Sequence, residues 1–356
     1  MIDTAVLIKK TLTENSRVDQ VSAKDLPFGK YFSDHMFVCE YINGEWQNFR
    51  IIPYGPMPMS PSISSLHYGQ AIFEGMKAYR TDDGEVTLFR PLDNCKRMNI
   101  SAERLCMPPV PENVFMEGLL QLVSLDKKWV LNEEGCSLYI RPVMFAIDEA
   151  LGVKASSSYR LVIMSSPSGP YYKDPVKMKI ETQFARACDG GTGFTKAAGN
   201  YGVSLYPAKL AQQQGYTQVI WTDAKSHEYF EEAGMMNVMF VKDNVLITPS
   251  ISGNTILAGI TRDSLLTIAR DWNMKIEERK VSVEEIIDGI QSGTVTEVFG
   301  AGTAATVALI SAIGYNGKDY DVPVATPDSF STRAAKHLMN IRRGKEEDIH
   351  NWLVKI

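Results

Sequence analysis

The stretch MFVCEYINGEWQNFRII, Met36 to Ile52, is two β-rich runs joined at Asn43-Gly44. Both turn residues tolerate positive φ, so the runs fold back on each other as a hairpin. The arrangement recurs at AYRTDDGEVTLFR, around Asp82, Asp83 and Gly84, and at NVMFV-KDN-VLITP, around Lys242 to Asn244. Local antiparallel pairing is therefore built into both halves of the chain. Helices follow the first two hairpins. PLDNCKRMNISAERLCM repeats Leu92, Cys95, Met98, Ala102 and Leu105 at helical spacing. PENVFMEGLLQLVSLDKKW opens with Pro111 and repeats Val114, Phe115, Leu119, Leu122 and Val123. SLYIRPVMF, YRLVIMSS, TQVIWT and TVTEVF read as strands, and GITRDSLLTIARDWN and PDSFSTRAAKHLMNIR as helices. The expected class is α/β in the α+β sense, with a mixed or antiparallel sheet in the second half.

The chain has 356 residues, enough for about two domains. The best linker is SSPSGPYYKDP, Ser165 to Pro175, where three prolines and a glycine disfavour regular structure. This divides the chain into an N-terminal domain 1–166, a linker 167–176 and a C-terminal domain 177–356. Apolar residues make up 44% and the net charge is −5, which gives no broad basic surface for nucleic acid. The one dense basic cluster, Arg342, Arg343 and Lys345, runs into Glu346 to Asp348 and reads as a solvated surface face. The five cysteines form no CxxC and the five histidines no HxxH, so no metal site and no disulfide framework is expected. Reduced thiols fit a cytoplasmic protein. The N-terminus MIDTAVLIKKTLTEN has a short apolar run and an early acid, Asp3, unlike a signal peptide. The uncharged run Val298 to Gly317 is broken by glycines, threonines and Asn316. It reads as buried strand and turn rather than a membrane span.

Lys196 stands alone in GGTGFTKAAGNYG. A phosphate-gripping P-loop needs Gly-Lys-Ser/Thr, and here Thr195 precedes the lysine and Ala197 follows it. A plain surface lysine is one remaining reading, although the small neighbours leave room for a bulky group and no adjacent acid pairs with the ammonium. The other is a Schiff-base lysine, which needs burial or a nearby cation to free its amine. A pyridoxal phosphate (PLP) site also needs a carboxylate at the pyridine nitrogen, a donor at the ring oxygen, and an arginine or helix N-terminus for the phosphate.

Further stretches bear on the choice. FTKAAGNYG, HYGQAIFEGMKAYR, CKRMNISA, SLYIRP, GPYY, EEAGMMNVMF, LAGITRD, FGAGTAA and IRRGKEEDIHNW together resemble the branched-chain amino acid aminotransferases, PLP enzymes of fold type IV, in that family's order. The resemblance runs from about Phe28 to Trp352. It implies a smaller N-terminal α/β domain, a larger barrel-like C-terminal domain and PLP as cofactor. Lys196 matches the lysine that holds PLP and then moves the substrate proton. Tyr201 matches the donor to the ring oxygen, and Glu232 the carboxylate at the pyridine nitrogen. Glu231 competes for that role, but adjacent strand residues face opposite ways and only one can serve. Arg97 matches the phosphate arginine, a position that would otherwise read as a solvated charge. Ile260 and Thr261 match backbone phosphate donors at a helix start, and Thr303 a further phosphate contact. Thr303 and Ala304 match the turn that receives the substrate carboxylate.

Phe28, Tyr68, Phe73, Tyr139 and Tyr171 match the aromatic substrate walls, with ordinary core packing as the rival for each. Arg141 matches a nearby arginine. Such walls bury a branched chain at roughly 0.8 kcal/mol per methylene. Arg141 and Tyr68 are the candidates for the polar end of glutamate. The implied reaction moves the amino group of L-leucine, L-isoleucine or L-valine to 2-oxoglutarate, in a homodimer whose loop near Leu151 to Val153 enters the partner's site. Met235 stands where some relatives have threonine, and Ala305 and Ala308 where some have a CxxC. D-amino acid aminotransferases and aminodeoxychorismate lyases share the lysine and glutamate and remain alternatives. GAGTAA, Gly300 to Ala305, also fits a dinucleotide fingerprint. The β-branched TVALIS that follows is poor for the helix such a site requires.

Overall fold

A computed structural model describes residues 6–23 and 26–356; Asp3 lies outside them. The chain forms two compact units. One comprises Met1–Tyr171, Thr195–Gly199 and Asn340–Ile356, and the other Tyr172–Phe194 and Asn200–Met339. One division falls at Tyr171/Tyr172. The segment around Lys196 belongs to the first unit, although residues on both sides of it belong to the second.

The first unit holds a nine-stranded sheet. Its order is Lys9–Lys10, Glu45–Pro53, His35–Ile42, Tyr159–Ser168, Ser137–Ala146, Met76–Arg80, Val86–Phe89 and Leu353–Lys355, with Ala71–Phe73 added on Ser137–Ala146. Asn43 and Gly44 have φ of 55° and 87°, and Ile42 pairs with Glu45, so the hairpin forms as its turn residues require. The helices are Pro91–Arg104 and Glu112–Leu125. Their apolar residues, Cys95, Met98 and Ala102 on the first and Val114, Phe115, Leu119, Leu122 and Val123 on the second, join Phe37, Ile51, Met76 and Ile140 of the sheet in one core. Gly118 lets its helix come close, since a Cβ there would lie 2.6 Å from the Phe37 ring.

Two expectations are corrected. Ser165 to Ser168 continue the strand Tyr159–Ser168, with Pro167 opposite Leu138. Pairing with His35–Ile42 stops at Met164. Past that point the strand has a ladder on one side only, where a proline nitrogen is tolerated. Arg342 and Arg343 are buried, at 3% and 7% exposure, not a solvated face. The Arg342 guanidinium lies 4.3 Å from the Phe89 ring centroid. Arg343 donates to the carbonyls of Asn132, Glu133 and Cys136.

The second unit holds a closed six-stranded ring. The order is Phe230–Ala233, Gln218–Thr222, Val176–Ile180, Thr306–Tyr315, Val295–Gly302 and Met236–Lys242, which pairs back onto Phe230–Ala233. Val245–Pro249, Lys275–Arg279 and Lys318–Asp321 extend it. Asp243 and Asn244 turn the third hairpin at φ 49° and 60°. The run from Val298 is the end of one buried strand and most of the next. Thr306–Tyr315 pairs antiparallel with Val295–Gly302, so no helix follows Gly300 to Ala305. A dinucleotide fingerprint has no pyrophosphate-binding helix N-terminus there, and that alternative is excluded. No helix among the described residues is long and apolar enough to cross a membrane.

Candidate active site

In the first unit the lysine segment lies against a strand. Ile72 and Ala197 form an antiparallel bridge. The N–H of Phe73 donates to the Lys196 carbonyl at 3.1 Å and that of Ala198 to the Ala71 carbonyl at 2.9 Å. The Lys196 N–H donates to Ser101 Oγ at 2.9 Å. Its backbone is thus fixed on both sides, and Nζ lies 4.7 Å from the centroid of the Phe73 ring.

Next to Phe73, Glu74 is fully buried. Arg97, itself 7% exposed rather than solvated, donates to it through Nε and Nη2, each at 2.8 Å. Asn94 Nδ2 adds a third bond at 2.7 Å. Burial pushes the Glu74 carboxyl up, but Arg97, Lys196 and Asn94 together outweigh burial and hold it below the usual carboxylate range. Two donors of Arg97 therefore face this acid.

Phe28 packs edge-on against Tyr139 and Tyr171, with ring centroids 4.8 and 5.1 Å away. Arg141 donates from Nη2 to the Tyr139 hydroxyl at 3.0 Å, and its guanidinium lies 4.5 Å from the Phe73 centroid. Gly75 makes room for Tyr139, since a Cβ there would lie 2.2 Å from the hydroxyl. Phe28, Phe73, Tyr139, Arg141, Tyr171 and Lys196 thus form one chain of contacts. Tyr68 takes a different partner, the Leu151 carbonyl.

In the second unit Glu232 is 5% exposed. It accepts the Leu257 N–H at 2.7 Å through Oε1, and Arg186 Nε lies 3.3 Å from Oε2. Asn237, opposite Glu232 in the sheet, donates to the Leu257 carbonyl at 2.9 Å. Gly259 follows, and a Cβ there would lie 1.9 Å from Asn237 Oδ1. The helix Ile260–Asp271 starts immediately after, so the strand that carries Asn237 places both Glu232 and the helix start with Ile260 and Thr261. Tyr201 lies in the short turn Gly199–Gly202. Thr303 and Ala304 occupy the turn between Val295–Gly302 and Thr306–Tyr315, with Thr306 at φ 60°. That value is uncommon for a β-branched residue, and such strain gathers at functional turns.

The profile of the amino-transferase class IV family matches residues 71–313. The chain belongs to the class IV aminotransferases. This aminotransferase is 44% identical over 353 residues to Branched-chain-amino-acid transaminase 1 of Bacillus subtilis strain 168, covering 98% of each chain. It is 42% identical over 354 residues to a probable branched-chain-amino-acid aminotransferase of Staphylococcus aureus strain MRSA252, covering 98% of this chain and 97% of that one. Among solved structures it is similar to the branched-chain aminotransferase of Thermoproteus uzoniensis with norvaline. The TM-score is 0.76 at 25% identity, over 90% of this chain and 99% of the other.

Several residues that contact the candidate residues within each unit carried no signal in the sequence. Glu74 stood inside the quoted HYGQAIFEGMKAYR without a role, and Asn94 and Ser101 lay on the helix of Arg97. Asn237 closed the EEAGMMN stretch. Arg186 carried no motif at all; only folding brings it to Glu232.

Proposed function

We propose that this aminotransferase moves the amino group of L-leucine, L-isoleucine or L-valine to 2-oxoglutarate, with PLP as cofactor. The match along nearly all of both chains to the B. subtilis transaminase carries the reading; its name supplies the substrate class. The donor set fits PLP chemically. Lys196 offers an amine for the aldehyde, and Glu232, buried and held by Leu257 and Arg186, suits a protonated ring nitrogen. Ile260 and Thr261 at a helix N-terminus suit the phosphate, Arg97 and Thr303 are assigned to it as well, and Tyr201 to the ring oxygen. When bound, PLP supplies an electron sink for the negative charge that develops at the substrate Cα.

The chain's own residues do the rest. Lys196 Nζ takes the proton from the substrate Cα, from a backbone held by Phe73, Ala71 and Ser101. Glu232 keeps a negative charge at the ring nitrogen. Phe28, Phe73, Tyr139 and Tyr171 exclude water and bury the branched side chain, and Tyr68 and Arg141 meet the carboxylate of glutamate. The Thr303–Ala304 turn orients the α-carboxylate. The enzyme works as a cytoplasmic homodimer. Exposed Leu66, Leu151 and Val153, at 64%, 66% and 84%, support a partner surface in the first unit.

The test is the visible absorption of the purified protein before and after L-leucine, beside Lys196→Ala, with glutamate formation from 2-oxoglutarate. A band that L-leucine shifts and the variant lacks is expected. A protein that stays colourless after incubation with PLP overturns the reading.

A further inference from the structure

Glu231 has no role in the reaction proposed above, yet it is 5% exposed, the same as its neighbour Glu232. The strand Phe230–Ala233 carries both, and consecutive strand residues point to opposite faces. Both acids nevertheless act on one segment, Thr255 to Leu257. The Thr255 side chain hydrogen-bonds the Glu231 carboxyl, while the Leu257 N–H binds Glu232 Oε1. Arg186 reaches the same segment and donates to the Thr255 and Gly193 carbonyls. Its Nε lies 3.3 Å from Glu232 Oε2. The Arg186 guanidinium is thus paired with Glu232 and acts on Glu231 only through its charge, and Glu231 Oε2 has no hydrogen-bond partner. A buried carboxylate left in that state is costly, and a proton lowers the cost by removing the charge.

We propose that Glu231 is a positioning residue that keeps a proton in the working enzyme, holding Thr255 while leaving Arg186 to Glu232. Loss of that proton creates a second carboxylate that competes for Arg186 and loosens the Glu232 arm. The charged groups around Glu231 are Arg186, Glu232 and Asp223. Burial pushes its carboxyl up to about 7, with Glu232 and Asp223 adding to the rise and Thr255 and Arg186 opposing it. The effect on Glu232 rests on the PLP reading above; the proton itself does not.

Two measurements separate them. In apoprotein, melting temperature is followed against pH for the wild type, Glu231→Gln and Thr255→Val. The folded wild type keeps a proton that the unfolded chain has released, so its stability falls as pH rises from 4.5 through about 7. Glu231→Gln lacks that fall. Thr255→Val, without the hydroxyl that favours the carboxylate, shifts it to higher pH, which keeps the test open should the glutamine variant not fold. Superimposable profiles overturn the proposal.

In holoenzyme, PLP dissociation is measured across the same range. The wild type weakens by about tenfold with rising pH, the worth of one pKa unit, while Glu231→Gln stays flat. Parallel curves overturn the link to Glu232 even if the melting profiles differ. Failure of every protein to take up PLP overturns the cofactor reading and the link with it, and leaves the melting comparison to decide the proton.

Discussion

Arg97 meets Glu74 along both edges of the carboxylate, Nε to Oε1 and Nη2 to Oε2, each at 2.8 Å. Both side chains are buried. Removing one partner leaves a buried charge unmatched, at a cost of about 3–5 kcal/mol. Glu74→Ala therefore lowers the unfolding free energy measured in urea by that amount, and Arg97→Lys, which loses the bidentate geometry, lowers it too. Glu74 is held below its ordinary 4.5. Its contribution is complete above that pH and disappears as pH falls through the depressed value, so the variant and the wild type converge in acid denaturation.

Lys196 is fixed through its backbone while its side chain extends over Phe73. Lys196→Ala keeps the fold, since none of these backbone contacts needs the side chain. Turnover falls by at least about 10²–10⁴-fold, the worth of a positioned general base. Circular dichroism with a leucine–2-oxoglutarate assay checks both halves of this prediction.

Gly259 has φ −72°, so its backbone imposes no glycine requirement. Space does: an added Cβ would meet Asn237 Oδ1 at 1.9 Å. Gly259→Ala pushes Asn237 off the Leu257 carbonyl and disturbs the N–H that holds Glu232. PLP affinity, read by fluorescence titration, drops by about tenfold or more, the equivalent of one lost hydrogen bond. Gly253→Ala, with open space at its Cβ, leaves it unchanged.

Lys77 is 7% exposed. Burial, with Arg342 nearby, pushes its ammonium down from 10.5 to about 7. Above that pH the folded chain has released a proton that the unfolded chain still binds, so stability rises with pH up to the ordinary lysine range. Lys77→Met removes this slope. Melting curves of the variant and the wild type, compared from neutral pH upward, show the wild type gaining on the variant.

How much of this was legible in sequence depends on distance along the chain. Asn43-Gly44, Asp82 to Gly84 and Lys242 to Asn244 marked their hairpins because a turn is decided by the φ its own residues tolerate. The helical repeats at Cys95, Met98 and Ala102 and at Val114, Phe115 and Leu119 marked buried faces for the same local reason. The β-branched TVALIS pointed away from a helix after Gly300, and a strand stands there. Where a residue's fate depended on a distant neighbour, sequence was silent or misleading. Pro167 could enter a strand because beyond Met164 that strand has a ladder on one side only. Arg342 and Arg343 read as solvated because their partners, Phe89 and the carbonyls of Asn132 to Cys136, lie some 200 residues or more away in sequence. The same holds for Arg186 beside Glu232 and Ser101 beneath Lys196. Sequence by itself determined the turns, the amphipathic faces and the residue types available for chemistry. Only the tertiary structure decided which charges are buried and paired, because desolvation depends on everything that surrounds a group and not on its neighbours in the chain.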